Sequence, residues 1–376
     1  MKTLFDTRKQ VFRFISTQLK WRQEKDLTNA PSVTEDFSVH DNETEFSPSL
    51  EDISNPITAQ DVTKEITEVN VAFSGCAFLG PYLVGSLKCF QDHIGGRFKG
   101  EPSNFAVDQC LGASAGALMA ACLIIEYPAL ELFKQFNNVI EKANKHTFGP
   151  LNKNCHLNSL LRDELEIIFE EDAHLKVSGK LHISMTDLSG ENHIVSQFES
   201  RNELIDAILV SCYVPGLYEY SYCPQYKGQY FIDGGFSNNQ PVVNSTIRVS
   251  PFAGPSQICP KDTHPSGWKI YYPEEINLSI ANLWRCLVAF SIFKENPQSL
   301  YEQGYQDTKD YFKSGHILRI QPSPSKIKPK KVKIIGIVIT IVKLMYSLYK
   351  FISSLYKSCS NNLCIVPILL LHVLFL

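Results

Sequence analysis

Gly112-Ala113-Ser114-Ala115-Gly116 decides the fold, because of what stands on either side of it. Val107–Leu111 before it reads as a strand, and Ala117-Leu118-Met119-Ala120-Ala121 after it is strong helix-forming sequence. Strand, sharp turn and helix in that order are the context of a nucleophile elbow. The turn strains Ser114, while small residues at 112, 113, 115 and 116 let the backbone come close and leave the hydroxyl exposed. The helix starting at Ala115 then aims its free amides and positive dipole end at a developing oxyanion. Read more plainly, the stretch is a glycine turn of a βα unit with an uninvolved serine.

Two further loops bear on that choice. Ser74-Gly75-Cys76-Ala77-Phe78-Leu79-Gly80 also follows a strand and precedes a helix. As a dinucleotide fingerprint it has Ala77 where the middle glycine must admit a pyrophosphate. As a P-loop it has Pro81-Tyr82 where Lys and Ser/Thr must stand. A loop of backbone amides beside an elbow instead suits an oxyanion hole. Asp233-Gly234-Gly235, after the strand-like Tyr230-Phe231-Ile232, is on its own an ordinary turn.

Outward from these loops, strands are expected at Val69–Ser74, Val107–Leu111, Leu181–Met185, Ile194–Phe198, Tyr230–Ile232, Ile247–Val249 and Ile317–Ile320. Helices are expected at Tyr82–Asp92, Ala115–Glu126, Leu130–Ala143, Leu157–Phe169, Leu204–Cys212, Ala281–Phe293 and Leu300–Lys313. The alternation predicts an α/β sandwich with a mainly parallel sheet. A chain of 376 residues with 44% hydrophobic and 20% charged residues has ample material for such a core. A net charge of −3 disfavours a protein whose main work is gripping nucleic acid. The 11 cysteines form no C-x-x-C pair and no zinc-spaced cluster, so they read as reduced, mostly buried thiols of an intracellular protein.

The three loops in this order resemble the patatin-like phospholipases, with wording most similar to the adipose triglyceride lipase and adiponutrin branch. Ser211-Cys212-Tyr213-Val214-Pro215, Val249-Ser250-Pro251-Phe252-Ala253-Gly254, Ile258-Cys259-Pro260 and Gln303-Gly304-Tyr305-Gln306-Asp307 extend the likeness, which spans about residues 67–322. The resemblance implies a three-layer α/β sandwich and a serine–aspartate dyad without histidine. Ser114 is then the acyl-accepting nucleophile, on an elbow bounded by Gly112 and Gly116. Asp233, in the Asp-Gly motif with Gly234 and Gly235, is the base. Backbone amides of Gly75, Cys76, Ala77, Phe78, Leu79 and Gly80 form the oxyanion hole. It further implies a long-chain acyl lipid as substrate, triacylglycerol foremost, with phospholipase or acyl-transfer chemistry as alternatives. No metal or cofactor is implied, and no nucleic acid. The implied partners are a lipid-droplet or membrane surface and a protein activator, with a cytoplasmic location. The sequence departs from the family loop, Gly-Cys-Gly-Phe-Leu-Gly, at Ala77; a positive φ there costs an alanine on the order of 1 kcal/mol.

Two rival readings stand beside this one. An α/β-hydrolase triad would recruit His264 or His316 as the late histidine. A catalytically weak lipid-surface protein would keep the fold for binding acyl chains. The ends of the chain bear on location. Residues 1–25 read as a basic amphipathic segment, with Lys2, Arg8, Lys9, Arg13, Lys20, Arg22 and Lys25 against Asp6 and Glu24. Residues 26–66 are an acidic linker in which Lys64 is the sole Lys or Arg. Residues 323–376 combine lysines 326, 328, 330, 331 and 333 with the apolar runs Ile334–Tyr349 and Leu363–Leu376, a lipid-associating tail.

Overall fold

The computed structural model describes residues 67–314, apart from 95–104, 146–149, 151, 153, 216–223, 263–268, 272–273 and 291–293. The two N-terminal segments, the expected strand Ile317–Ile320, the C-terminal tail, His264 and His316 lie outside the described residues.

Strand β1 (Thr67–Phe73) enters first, and Val69, Val71, Ala72 and Phe73 on it are all buried. Such a near-continuous apolar run belongs to a strand covered on both faces. Its parallel neighbours are β2 (Phe105–Ala113) on one side and β7 (Thr246–Val249) on the other. Next to β2 lies β3 (Leu181–Asp187), again parallel. The predicted parallel sheet is therefore the block β3-β2-β1-β7.

Beyond it the sheet changes sense. Strands β4 (Asn192–Val195) and β6 (Gln229–Asp233) pair antiparallel with β3, and the short β5 (Gln225–Tyr226) pairs antiparallel with β6. Together they make seven strands in the order β5-β6-β3-β2-β1-β7, with β4 off that path on β3. A separate two-stranded hairpin joins β8 (Lys269–Tyr271) to β9 (Glu275–Asn277).

Eight helices among the described residues complete the α/β architecture. They are α1 (Gly80–Ile94), α2 (Ala115–Ile124), α3 (Ala129–Asn144), α4 (Leu157–Ile168), α5 (Ala173–Val177), α6 (Arg201–Ser211), α7 (Ile280–Ala289) and α8 (Pro297–Lys313). Buried α2 packs on β1, β2 and β3, while α6 packs on β3 and β6. Ser200 starts α6 by accepting a hydrogen bond from the Glu203 amide at 3.1 Å, and Asn296 with Pro297 starts α8. The short α5, β5 and the β8–β9 hairpin have no counterpart among the expected elements, and β4 begins two residues before the expected Ile194. Pieces of two to five residues carry too few periods to register as a pattern. None of the helices among the described residues is long and apolar enough to cross a membrane.

Candidate active site

Ser114 stands directly after β2 with φ 56° and ψ −132°, left-handed backbone that a side chain adopts only when its surroundings force it. The forcing is visible at Gly116. A Cβ placed there would lie 2.2 Å from the Phe73 carbonyl oxygen, so only glycine lets α2 begin this close to β1. The elbow is also tied from outside: the Ser114 amide donates to Ser211 Oγ at 2.8 Å, and that hydroxyl donates to the Ser184 carbonyl at 2.7 Å. One expectation is corrected here. Ser114 is only 6% exposed rather than open, because the backbone of the loop at Gly75 folds against it.

Asp233 reaches Ser114 through the register of β3. On one edge of β3, Ser184 pairs with Ala113 at the end of parallel β2, and the next residue, Met185, pairs with Asp233 at the end of antiparallel β6. The other edge is taken by β4, where Ile194 and His193 pair with the same two residues. Strands β2 and β6 therefore meet end to end along β3, and their last residues bring Ser114 and Asp233 together. The Ser114 side chain lies close enough to the Asp233 carboxylate to lower its pKa.

The aspartate is held on every side. Its amide donates to the Tyr213 carbonyl at 2.8 Å, its carbonyl accepts from Thr186 Oγ1 at 2.8 Å, and its Oδ1 accepts from the Gly235 amide at 2.7 Å. Gly234 is obligatory, since a Cβ there would sit 2.1 Å from the Ser184 carbonyl oxygen. Burial raises the Asp233 pKa to about 6, against the lowering effects of the Ser114 side chain and the Gly235 amide. A carboxyl poised there is a better proton acceptor than a solvated one and is still ionised at neutral pH. Burial holds the Cys212 thiol well above the usual range, so it stays protonated.

The loop Gly75–Gly80 carries a 3-10 turn at Ala77–Leu79, and Ala77 takes φ 46°. Three of its six amides are already engaged. Gly75 donates to the Asn239 carbonyl at 3.2 Å, Leu79 to the Cys76 carbonyl at 3.0 Å, and Gly80 to the Ala77 carbonyl. Among the described residues, no hydrogen bond engages the amides of Cys76, Ala77 and Phe78. Asn239 holds the loop from both sides, because its Nδ2 also donates to the Gly75 carbonyl at 3.1 Å.

Ser211, Tyr213, Thr186 and Asn239 are site residues to which sequence reading assigned no role. Ser211 and Tyr213 lie in the quoted Ser211–Pro215 segment, and they accept from the amides of Ser114 and Asp233 respectively. Among the described residues, no group of three or more His, Cys, Asp or Glu side chains is arranged to hold a metal ion.

A mixed α/β sheet with a serine elbow after β2, an Asp-Gly-Gly turn after β6 and an amide-rich loop after β1 defines the patatin class of fold. The chain belongs to the patatin-like phospholipase family, in its adipose triglyceride lipase and adiponutrin branch. A family model described as patatin-like phospholipase matches residues 71–244. Patatin-like phospholipase domain-containing protein 4 of Homo sapiens is 35% identical over 246 residues, which are 64% of this chain and 94% of that one. Patatin-like phospholipase domain-containing protein 2 of Homo sapiens is 35% identical over 267 residues, 68% of this chain and 50% of that one. The 1-acylglycerol-3-phosphate O-acyltransferase Pnpla3 of Mus musculus is 32% identical over 248 residues, 65% of this chain and 58% of that one. The chain thus spans about half the length of the last two. The family is one of lipid hydrolases and acyltransferases.

Proposed function

We propose that this protein is a serine acyl hydrolase that cleaves long-chain carboxylic esters, triacylglycerol foremost, through a Ser114–Asp233 dyad. The observation that carries the reading is the meeting of the two strand ends: a serine at φ 56° beside a buried carboxylate. In the first half-reaction the Ser114 Oγ–H proton passes to Asp233 as Oγ attacks the ester carbonyl. The oxyanion formed lies against the amides of Cys76, Ala77 and Phe78 and the open first turn of α2. Collapse breaks the C–O bond, and the leaving alkoxide takes the proton back from Asp233. In the second half-reaction Asp233 takes a proton from water, hydroxide character attacks the acyl-Ser114 ester, and the fatty acid leaves as Ser114 Oγ regains a proton.

A second reading changes only the acceptor. An alcohol-bearing lipid entering in place of water gives acyl transfer, and the acyltransferase name of the Mus musculus relative favours keeping it in view. The substrate's long chains supply the dryness that a raised carboxylate basicity needs. Residues 326–333 and the apolar runs after them support a lipid-droplet or membrane surface as the working place, with a protein activator as a further partner. Product analysis on a mixed panel of triacylglycerol, phospholipid and lysolipid tests the reading. Wild type is expected to release fatty acid and Ser114→Ala to release none; release that survives the substitution contradicts it.

A further inference from the structure

The turn between β3 and β4 delivers a side chain that the reaction as written does not use. Asp187-Leu188-Ser189-Gly190-Glu191 closes on itself: the Gly190 amide donates to the Asp187 carbonyl at 3.0 Å, the Asp187 amide to the Glu191 carbonyl at 3.0 Å, and the Glu191 amide to Asp187 Oδ1 at 2.9 Å. Gly190 takes φ 92°, a conformation open to a residue without a side chain. The turn fixes the register in which Asn192 stands opposite Thr186. Residues directly opposite on paired strands share a face of the sheet, so Asn192 lies on the face of Ser184 and Thr186, both fully buried.

Two chains of hydroxyls start from the Asn192 amide group. In the first, Nδ2 donates to Ser237 Oγ at 3.0 Å, Ser237 Oγ lies 2.7 Å from Thr186 Oγ1, and Thr186 Oγ1 donates to the Asp233 carbonyl at 2.8 Å. Thr186 has one hydroxyl proton and gives it to Asp233, so Ser237 is the donor between the two hydroxyls. In the second, Nδ2 donates to Ser184 Oγ at 2.7 Å, and that hydroxyl donates to the Asn238 carbonyl at 2.9 Å. Both serines have thus committed their protons, and the two N–H groups of Asn192 complete them. The amide has one workable orientation, because Nδ2 is also 3.1 Å from the Met185 carbonyl, an acceptor only, while Oδ1 accepts from Asn238 Nδ2 at 3.3 Å.

The chains end on two peptide groups of the same segment. One carries the carbonyl of Asp233 itself, at the head of the Asp-Gly-Gly turn. The other joins Asn238 to Asn239, the residue that holds Gly75 through its carbonyl and its Nδ2. We propose that Asn192 is a positioning residue for the site, setting the direction of both hydroxyl chains and so fixing Asp233 and the loop at Gly75 relative to each other. The inference rests on the serine–aspartate reading and adds to it the donor that orders the base. An aspartate at 192 has the same shape but no N–H. Its carboxylate would draw the Ser184 and Ser237 protons to itself, releasing the Asn238 carbonyl and leaving Thr186 Oγ1 without its donor.

The test is steady-state kinetics on a water-soluble short-chain ester, at a temperature where each protein is folded. Full-length wild type is compared with Asn192→Asp, Asn192→Ala, Ser237→Ala and the double variant Asn192→Ala/Ser237→Ala, with Ser114→Ala as control. Asn192→Asp and Asn192→Ala are each expected to lower kcat by about tenfold or more with KM little changed, since small displacement of a reacting group is costly. The double variant is expected to match Asn192→Ala, because residues acting through one chain are non-additive. A wild-type kcat in Asn192→Asp overturns the inference, since it would mean that the shape of the side chain suffices without its donors. Losses that multiply in the double variant, or a loss confined to KM, overturn it as well, and all three results leave the dyad standing. Activity that survives Ser114→Ala overturns the dyad instead. Should the Asn192 variants fail to fold, Ser237→Ala decides: a lowered kcat with KM unchanged supports the role, and an unaltered kcat overturns it.

Discussion

Ala77 and Ser114 both stand at positive φ without being glycine, and the two cases differ in what the strain does. In the proposed reaction the strained turn at Ser114 presents the nucleophile. At Ala77 the methyl group has no such use there, because the position would serve through its amide. Ala77→Gly is therefore expected to stabilise the protein by about 1 kcal/mol in denaturant unfolding and to raise kcat with KM unchanged. A lower kcat would show that the alanine aids the loop geometry.

Asp233 is a residue whose fold-imposed pKa opposes stability. Its value rises from 3.8 to about 6 on burial, so the neutral form is favoured in the folded state and stability is lost as pH climbs through that range. A rise of that size corresponds to a loss of about 3 kcal/mol once the carboxyl is ionised in both the folded and the unfolded chain. Asp233→Asn is expected to abolish turnover and to melt at a higher temperature than wild type at about pH 8, with little difference at about pH 4. Equal melting at both pH values would mean that burial does not strain this carboxyl.

Among the strands and helices, the site depends on a junction that no local pattern announces. Apolar runs and glycine turns made β1, β2, β3, β7 and seven of the helices readable, since each repeats its period over enough residues. The switch from parallel to antiparallel pairing along β3, which sets Asp233 beside Ser114, is a matter of register between distant strands. Asn239 was hidden for a different reason. Ser237-Asn238-Asn239-Gln240 is a run of polar residues that reads as solvated turn, although Asn239 and Gln240 are buried.

The end of α6 and the segment after it test how the junction is held. Ser211 joins the Ser114 amide to the Ser184 carbonyl, and nothing else among the described hydrogen bonds satisfies that amide. Ser211→Ala leaves it unpaired next to the nucleophile. The expected result is a fall in kcat of about tenfold or more with KM little changed, since small misplacement of a reacting group is costly. An unaltered kcat would show that the elbow is fixed by β2 and α2 alone.

For the whole molecule, three strand ends converge: β1 delivers the amide loop, β2 the serine and β6 the aspartate. The elbow and the Asp-Gly-Gly turn each had a bland reading alone, and it is the register along β3 that brings Ser114 and Asp233 together. On the proposed reading the chemistry is a property of this convergence. The most direct measurement is therefore the site and rate of modification by a serine-directed fluorophosphonate, followed by mass spectrometry of the intact and digested protein. A working dyad predicts a single adduct on Ser114, absent from Ser114→Ala, with a labelling rate that rises as Asp233 ionises near its raised pKa of about 6 and collapses in Asp233→Asn. An adduct on another residue, or labelling of Ser114 at an undiminished rate in Asp233→Asn, would contradict it.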